Sequence, residues 1–211
     1  MKKILIILLV IMLVTILTAC GGSDNFAQQS NYIHDILAIR NSDGGIIYYG
    51  MNRADVESIL GLGERGTPRH IVVYGDEISI LYRDDIVVSI ILSNGSEWRL
   101  ANGAYVGMQV NNQTIFYNIS LEEKRQFINS VMNFASQTEE NVQITIVDYR
   151  FVLEGDSELR LVTTVEEFGE LFLGRPEQDI MRSSFIISFS IPDDTVAGII
   201  LGDMQALLTF R

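Results

Sequence analysis

Few residues in this chain have the means for covalent or metal chemistry. Cys20 is the one thiol, and His34 and His70 are the two imidazoles. A single cysteine excludes an intrachain disulfide and a Cys-based zinc site. Neither histidine has a second ligand at a metal-binding spacing, so each reads as a surface or partly buried imidazole. Two carboxylate pairs, Asp84-Asp85 and Asp193-Asp194, offer hard oxygens for Ca2+ or an acid–base couple. The same pairs suit turns, with Pro192 at a turn's second position, and their repetition favours turn geometry over a unique active site. The hexapeptide Gly61-Leu62-Gly63-Glu64-Arg65-Gly66 has the G-x-G-x-x-G spacing. A dinucleotide site needs a strand before such a loop and a helix after it. Here a helix is expected before it and strands after, and Glu64 adds a negative charge, so the loop reads as a helix stop. No G-x-S-x-G, S-x-x-K or Walker pattern occurs. No cofactor, metal site or catalytic set is expected.

The chain of 211 residues carries 15 Lys+Arg against 27 Asp+Glu, a net charge of −12. That balance argues against nucleic-acid binding, which needs a basic surface. At the N-terminus Lys2 and Lys3 precede an apolar run from Ile4 to Leu17. As a helix that run is about 21 Å long at about 1.5 Å per residue, short of a hydrocarbon core of about 30 Å. A positive start and a short apolar stretch are the layout of an export signal. The run closes in Leu17-Thr18-Ala19-Cys20, which resembles the lipobox of bacterial lipoproteins. The resemblance implies a signal peptide over 1–19, cleavage between Ala19 and Cys20, and a diacylglyceryl thioether on Cys20. The lone thiol sits where that chemistry needs it. Cleavage would remove Lys2 and Lys3 and leave a side-chain charge of −14. An anionic bilayer repels such a body, so the acyl chains, not the protein surface, would hold it there. The expected location is the extracytoplasmic side of the cell membrane. Gly21 rather than aspartate follows the cysteine, which in a Gram-negative host implies the outer membrane.

Residues 20–31 are polar and rich in Gly, Ser and Gln, a flexible tether. Beyond it, Asn52 caps a helix over 52–60 that presents Val56, Ile59 and Leu60 on one face and stops at Gly61. Strands are expected at Ile71–Tyr74, Ile78–Tyr82, Ile86–Leu92 and Trp98–Leu100. Ser120-Leu121-Glu122-Glu123 is a capping box opening the longest helix, to about Gln137. Val142–Leu153 reads as a strand with Val142, Ile144 and Ile146 in phase, returning through Leu159–Thr163. A short helix follows near Glu166–Phe172. Phe185, Ile187, Phe189 and Ile191 then alternate with Ile186, Ser188 and Ser190 as a half-buried strand. Val196–Leu201 is a further strand, and the tail Met204–Phe210 suits a last one.

An internal repeat links Asp84–Leu92 to Asp193–Leu201 at an offset of 109, with both aspartates, Val87, Ile90, Ile91 and Leu92 matched. A fainter echo joins Gly50-Met51 to Gly107-Met108. The stretch from Tyr49-Gly50-Met51-Asn52-Arg53-Ala54-Asp55 through Gly61 to Val88 resembles the SmpA/OmlA lipoproteins. Those belong with the β-lactamase-inhibitor-like fold, in which short helices pack on an antiparallel sheet. The resemblance covers about 45 residues, with a weaker second copy near 163–205, and implies binding and scaffolding rather than chemistry.

The expectation is therefore an α+β protein of two related units, 32–110 and 111–211, each a short helix plus antiparallel strands, with a longer central helix. Trp98, Tyr105, Phe116 and Tyr117 cluster near their junction. Core packing accounts for most of them, while Trp98 and Tyr105 are the candidate partner-binding aromatics. The expected role is that of a non-enzymatic, lipid-anchored envelope accessory that binds a membrane-bound protein. A metal-assisted hydrolase using the acidic turns and a small-ligand-binding lipoprotein are the rival classes. The lack of a nucleophile–base set argues against the first rival, and small size against the second.

Overall fold

The computed structural model describes residues 32–67, 70–93, 95–136, 145–172, 180–181 and 183–208. The signal and tether expectations, with Ala19 and Cys20, lie outside them. In chain order the elements are α1 (Ile33–Ile36), β1 (Ala38–Arg40), β2 (Ile46–Tyr48), α2 (Arg53–Leu60), β3 (Glu64–Arg65), β4 (Ile71–Tyr74), β5 (Ile78–Arg83), β6 (Ile86–Leu92), β7 (Arg99–Leu100), β8 (Ile115–Phe116), β9 (Ile119–Ser120), α3 (Leu121–Ser136), β10 (Ile146–Glu154), β11 (Glu158–Leu161), α4 (Val165–Phe172), β12 (Ser184–Ser190), β13 (Gly198–Asp203) and α5 (Met204–Leu208).

Polar side chains start the helices where the sequence predicts. The Asn52 side chain accepts from the N–H groups of Ala54 and Asp55 at 3.0 and 3.4 Å, and α2 ends at Gly61, whose φ is +80°. At the head of α3 the Ser120 N–H donates to Glu123 at 2.9 Å, and the Glu123 N–H returns to Ser120 Oγ at 3.2 Å. The Ser120 hydroxyl bond holds the Glu123 carboxyl below its usual range. Thr164 and Glu167 repeat the device at α4, where the Glu167 N–H meets Thr164 Oγ1 at 3.1 Å.

The fold is α+β. One antiparallel sheet of eight strands runs in the order β11-β10-β12-β13-β6-β5-β4-β3. It draws strands from both sides of the expected boundary at 110. A three-stranded sheet, β2-β1-β7, and the hairpin β8-β9 accompany it. The first face of the large sheet carries Tyr74, Ile80, Ile90, Leu201, Ile187, Phe189, Tyr149 and Val147. It packs into one core with α1, β1, Val56, Trp98, Phe116 and Leu121. Phe116 stacks on Phe189 with centroids 4.7 Å apart, and Tyr149 meets Phe189 edge-on at 5.7 Å. The second face carries Ile71, Leu81 and Val88, which Ala206 of α5 covers.

Three sequence expectations need correction. In β10 the core phase belongs to Val147, Tyr149 and Phe151, and Ile146 is 58% exposed. Aromatic bulk at 149 and 151 fills the core better than the aliphatic positions of the other phase; Val142 and Ile144 lie outside the described residues. The tail is helical over Met204–Leu208, because Asp203 Oδ1 accepts the Ala206 N–H at 2.6 Å and caps it. Trp98, expected at an interface, is 6% exposed and belongs to the core.

The segments matched in sequence lie side by side at the sheet centre. β6 pairs antiparallel with β13, Ile90 opposite Leu201 and Leu92 opposite Ile199, and Ile90 and Ile199 are both fully buried. The two Gly-Met segments meet the two acidic turns with the same hydrogen bonds. The Gly50 N–H donates to Val87 O at 2.9 Å and the Gly107 N–H to Val196 O at 2.7 Å. The N–H groups of Val87 and Val196 return to Met51 O and Met108 O at 2.9 and 3.0 Å. The Arg53 N–H reaches Asp85 O at 2.8 Å, and the Val110 N–H reaches Asp194 O at 2.9 Å. Asn52 bridges Ile86 as Gln109 bridges Thr195. Gly50 and Gly107 adopt φ of +90° and +93°, and Asp85 and Asp194 φ of +60° and +52°.

Candidate functional site

The residues singled out for chemistry do not assemble. His34 is exposed, with Nδ1 3.1 Å from Tyr49 O and its ring edge-on to Tyr48 at 5.0 Å. His70 is exposed at the entry to β4. Asp84 and Asp85 form the two-residue turn of the β5-β6 hairpin, both in the left-handed region at φ +53° and +60°. Asp194 faces Arg125 at 3.9 Å. Among the described residues no three His, Cys, Asp or Glu side chains gather as a metal site. No described helix is long and apolar enough to cross a membrane.

The glycine hexapeptide is a helix stop and an edge strand. The Gly61 N–H closes α2 on Glu57 O at 2.9 Å, and Glu64–Arg65 pair with β4. A Cβ on Gly63 would lie 2.4 Å from Val72 Cγ1 and 2.7 Å from the Tyr74 ring. The missing side chain lets the loop press on the sheet at Val72 and Tyr74.

Tyr105 is half-buried, and the Arg99 guanidinium lies 4.3 Å from its ring centroid, a cation–π contact. It is therefore separated in role from Trp98, whose indole packs near Asn41 and Gly45.

Three polar clusters were not visible in the sequence. Asp203 is 3% exposed and accepts from Arg83 at 3.2 and 3.4 Å, from Tyr49 Oη at 3.1 Å and from the Ala206 N–H. Burial, followed by the nearby Asp203 charge, raises the Tyr49 phenol above its usual pKa. Tyr74 and Tyr82 share a hydrogen bond at 2.8 Å, with Arg53 5.5 Å from the Tyr82 ring centroid. Lys124 is 1% exposed, its ammonium 4.4 Å from the Phe127 ring centroid and 5.2 Å from that of Tyr149. Burial pushes its pKa down to about 8. On a helix Lys124 looked like one more surface cation; only the fold turns it toward β10.

A groove of about 570 Å3 lies on the second face of the large sheet. Its floor and walls come from β10, β12, β13 and β6, with Met204 of α5 at one end. Register arranges the lining in rows. Asp148, Ser188, Ile200 and Ile91 stand opposite one another across four strands. Arg150, Ile186, Gly202 and Ser89 form the next row, and Ile146, Ser190 and Gly198 the row on the other side. The Ser188 hydroxyl donates to Asp148 Oδ1. The alternation Ile186-Ser188-Ser190 was the one sequence signal of this surface, legible as the second side of a half-buried strand but not as a cavity. Chemically the groove offers apolar contact with a charged pair along one wall, which suits binding.

No protein-family model, curated protein or solved structure matches the chain.

Proposed function

We propose that this chain is a lipid-anchored, extracytoplasmic envelope accessory, a binding module rather than an enzyme, built from two related α+β units. The groove on the second face of the sheet carries the reading: one face of the sheet fills the core, and the other forms a contact surface of isoleucines, serines and one charged pair. The matched hydrogen bonds of Gly50-Met51 and Gly107-Met108 to the two acidic turns support the two related units. The lipobox-like Leu17-Thr18-Ala19-Cys20 supports cleavage after Ala19 and acylation of Cys20. A tether of ten or so flexible residues has a reach of about 17 Å, so the body would meet a membrane-bound protein partner at high effective concentration. Tyr105 under Arg99 is the aromatic available to such a partner.

The test is metabolic labelling with a fatty acid, with in-cell crosslinking on the same cells. Cys20→Ala is expected to abolish label and cleavage and to weaken crosslinking to the partner, and Tyr105→Ala to weaken crosslinking alone. Equal labelling of Cys20→Ala and wild type would refute the anchor. Turnover of a substrate by the purified protein, lost in Asp84→Asn or Asp193→Asn, would replace binding with catalysis.

A further inference from the structure

We infer that a second copy of this chain is one of its partners, and that the two copies exchange halves: residues 32–93 of each pair with residues 98–208 of the other across the seam between β6 and β13. The inference rests on the two related units proposed above and not on the lipid anchor.

Pairing at the seam is symmetric about one residue pair. Ile91 stands opposite Ile200, its own match at the offset of 109. Ile90 therefore faces Leu201 and Leu92 faces Ile199, so the same Ile-Ile-Leu tripeptide lies on both sides. The relation extends outward through the ladders. Ile80 pairs with Ile90 as Phe189 pairs with Ile199. Tyr74 pairs with Ile78 as Tyr149 pairs with Ile187. In sheet order β5 and β4 lie outside β6 as β12 and β10 lie outside β13. The small sheet repeats the symmetry. Tyr48, two residues before Gly50, pairs with Ala38, and Tyr105, two residues before Gly107, bridges Arg99. One residue further on, Ile39 and Leu100 stand opposite each other. In both sheets an approximate two-fold axis passes between matched residues, the arrangement of an isologous dimer drawn into one chain.

The chain crosses from one half to the other between β6, which ends at Leu92, and β7, which starts at Arg99. The Ser93 N–H is held by Glu77 O at 2.9 Å and the Trp98 N–H by Ser96 Oγ at 3.2 Å. Between them the closed turn depends on Gly95, whose φ of +72° suits glycine and few other residues. Extending this short connection lets each half meet the opposite half of a second chain with every contact between halves kept, and short connections favour such exchange.

The seam also tells the halves apart. A Cβ at Gly202, opposite Ser89, would lie 2.5 Å from Val88 O. The residue matched to Gly202 is Ser93, so a second β6 does not fit in the place of β13 unless the strands move apart. The partner of β6 is β13, from the same chain or from another.

The experiment uses two full-length copies with different epitope tags in the same cells, one carrying Ile91→Cys and the other Ile200→Cys, with Cys20 left in place. Facing Cα atoms of an antiparallel pair are about 4.5–5.5 Å apart, within the reach of a disulfide, and both isoleucines are half-buried. Oxidation and a non-reducing gel are expected to show the two tags linked. Gly95→Pro, which forbids the closed turn, is expected to raise the linked fraction about fivefold. Four residues, Gly-Ser-Gly-Ser, inserted after Gly95 are expected to lower it. A single copy bearing both cysteines reads the register alone. A bond within that copy but none between tags leaves the two related units standing and overturns the exchange; no bond in either case overturns both. Equal linkage of Ile91→Cys to Ile91→Cys or to a wild-type copy, or linkage indifferent to both changes at Gly95, also overturns the exchange.

Discussion

Replacing Lys124 by methionine is expected to stabilise the protein, and to do so in a pH-dependent way. The side chain is 1% exposed, and burial lowers its pKa from 10.5 to about 8, with Asp148 opposing the fall and Arg150 adding to it. Each pKa unit is worth about 1.4 kcal/mol, so carrying the charge into the fold costs about 3 kcal/mol. Below about pH 8 both folded and unfolded chains hold the proton, and the cost is present in full. Between about pH 8 and 10.5 the folded chain has released a proton that the unfolded chain still binds, so wild-type stability climbs with pH. Above about pH 10 the phenols act in the opposite sense. Burial raises the pKa values of Tyr49, Tyr82, Tyr117 and Tyr149, the unfolded chain ionises first, and stability falls. Methionine keeps the unbranched stem and removes the charge, while forfeiting the contacts with Phe127 and Tyr149, worth about 1 kcal/mol. Urea denaturation of both proteins is expected to show Lys124→Met ahead by about 2 kcal/mol near pH 7. The lead should shrink by more than half by about pH 10. A variant less stable than wild type at neutral pH, or a lead that ignores pH, would refute the desolvation argument.

Two further substitutions probe other parts of the fold. Asp203→Asn removes a buried carboxylate that accepts from Tyr49, Arg83 and the head of α5. A loss of about 2–3 kcal/mol in urea is expected because Arg83 is half-exposed and can be re-solvated, and a loss below about 0.5 kcal/mol would show that the cluster holds nothing together. Trp98→Ala empties a site with 6% exposure and should cost about 3–5 kcal/mol, seen as a lower melting temperature by circular dichroism; an unchanged melt would return Trp98 to the surface.

The local signals in this chain proved dependable where a single side chain decides. Asn52 and Ser120 start helices because a hydroxyl or amide oxygen reaches an N–H a few residues on, and that is settled within one turn. The strands with one aromatic or isoleucine phase, such as Phe185-Ile187-Phe189, likewise declared their buried side. β10 did not, because both of its phases carry apolar residues and the choice rests on the edge-on packing of Tyr149 against Phe189 and Phe116 across the core. The tail at Met204–Leu208 has strand-like composition, and only Asp203, positioned by Arg83 and Tyr49 from distant segments, turns it into a helix. The groove was illegible for the same reason. Asp148 and Ser188 are 40 residues apart, and Ile91 and Ile200 further still, so their meeting depends on a register that no local pattern encodes.

The pairing of β6 with β13 carries a consequence for how the chain reaches this state. The partners are 107 to 113 residues apart in sequence, from Leu92 with Ile199 to Ser89 with Gly202. At roughly 5–20 residues per second, β6 waits roughly 5–20 s on the ribosome before its neighbour has been made. During that interval Ile86-Val87-Val88-Ser89-Ile90-Ile91-Leu92 is an uncharged, β-branched edge with open N–H and C=O groups, the kind of segment that recruits other copies. Closing so distant a pair is also slow by its topology. The central seam, where Ile90, Leu92, Ile199 and Leu201 are fully buried in the finished sheet, is thus a point at which newly made chains are exposed to aggregation. Asp84 and Asp85, immediately before the strand, place two negative charges at its mouth as gatekeepers against that outcome.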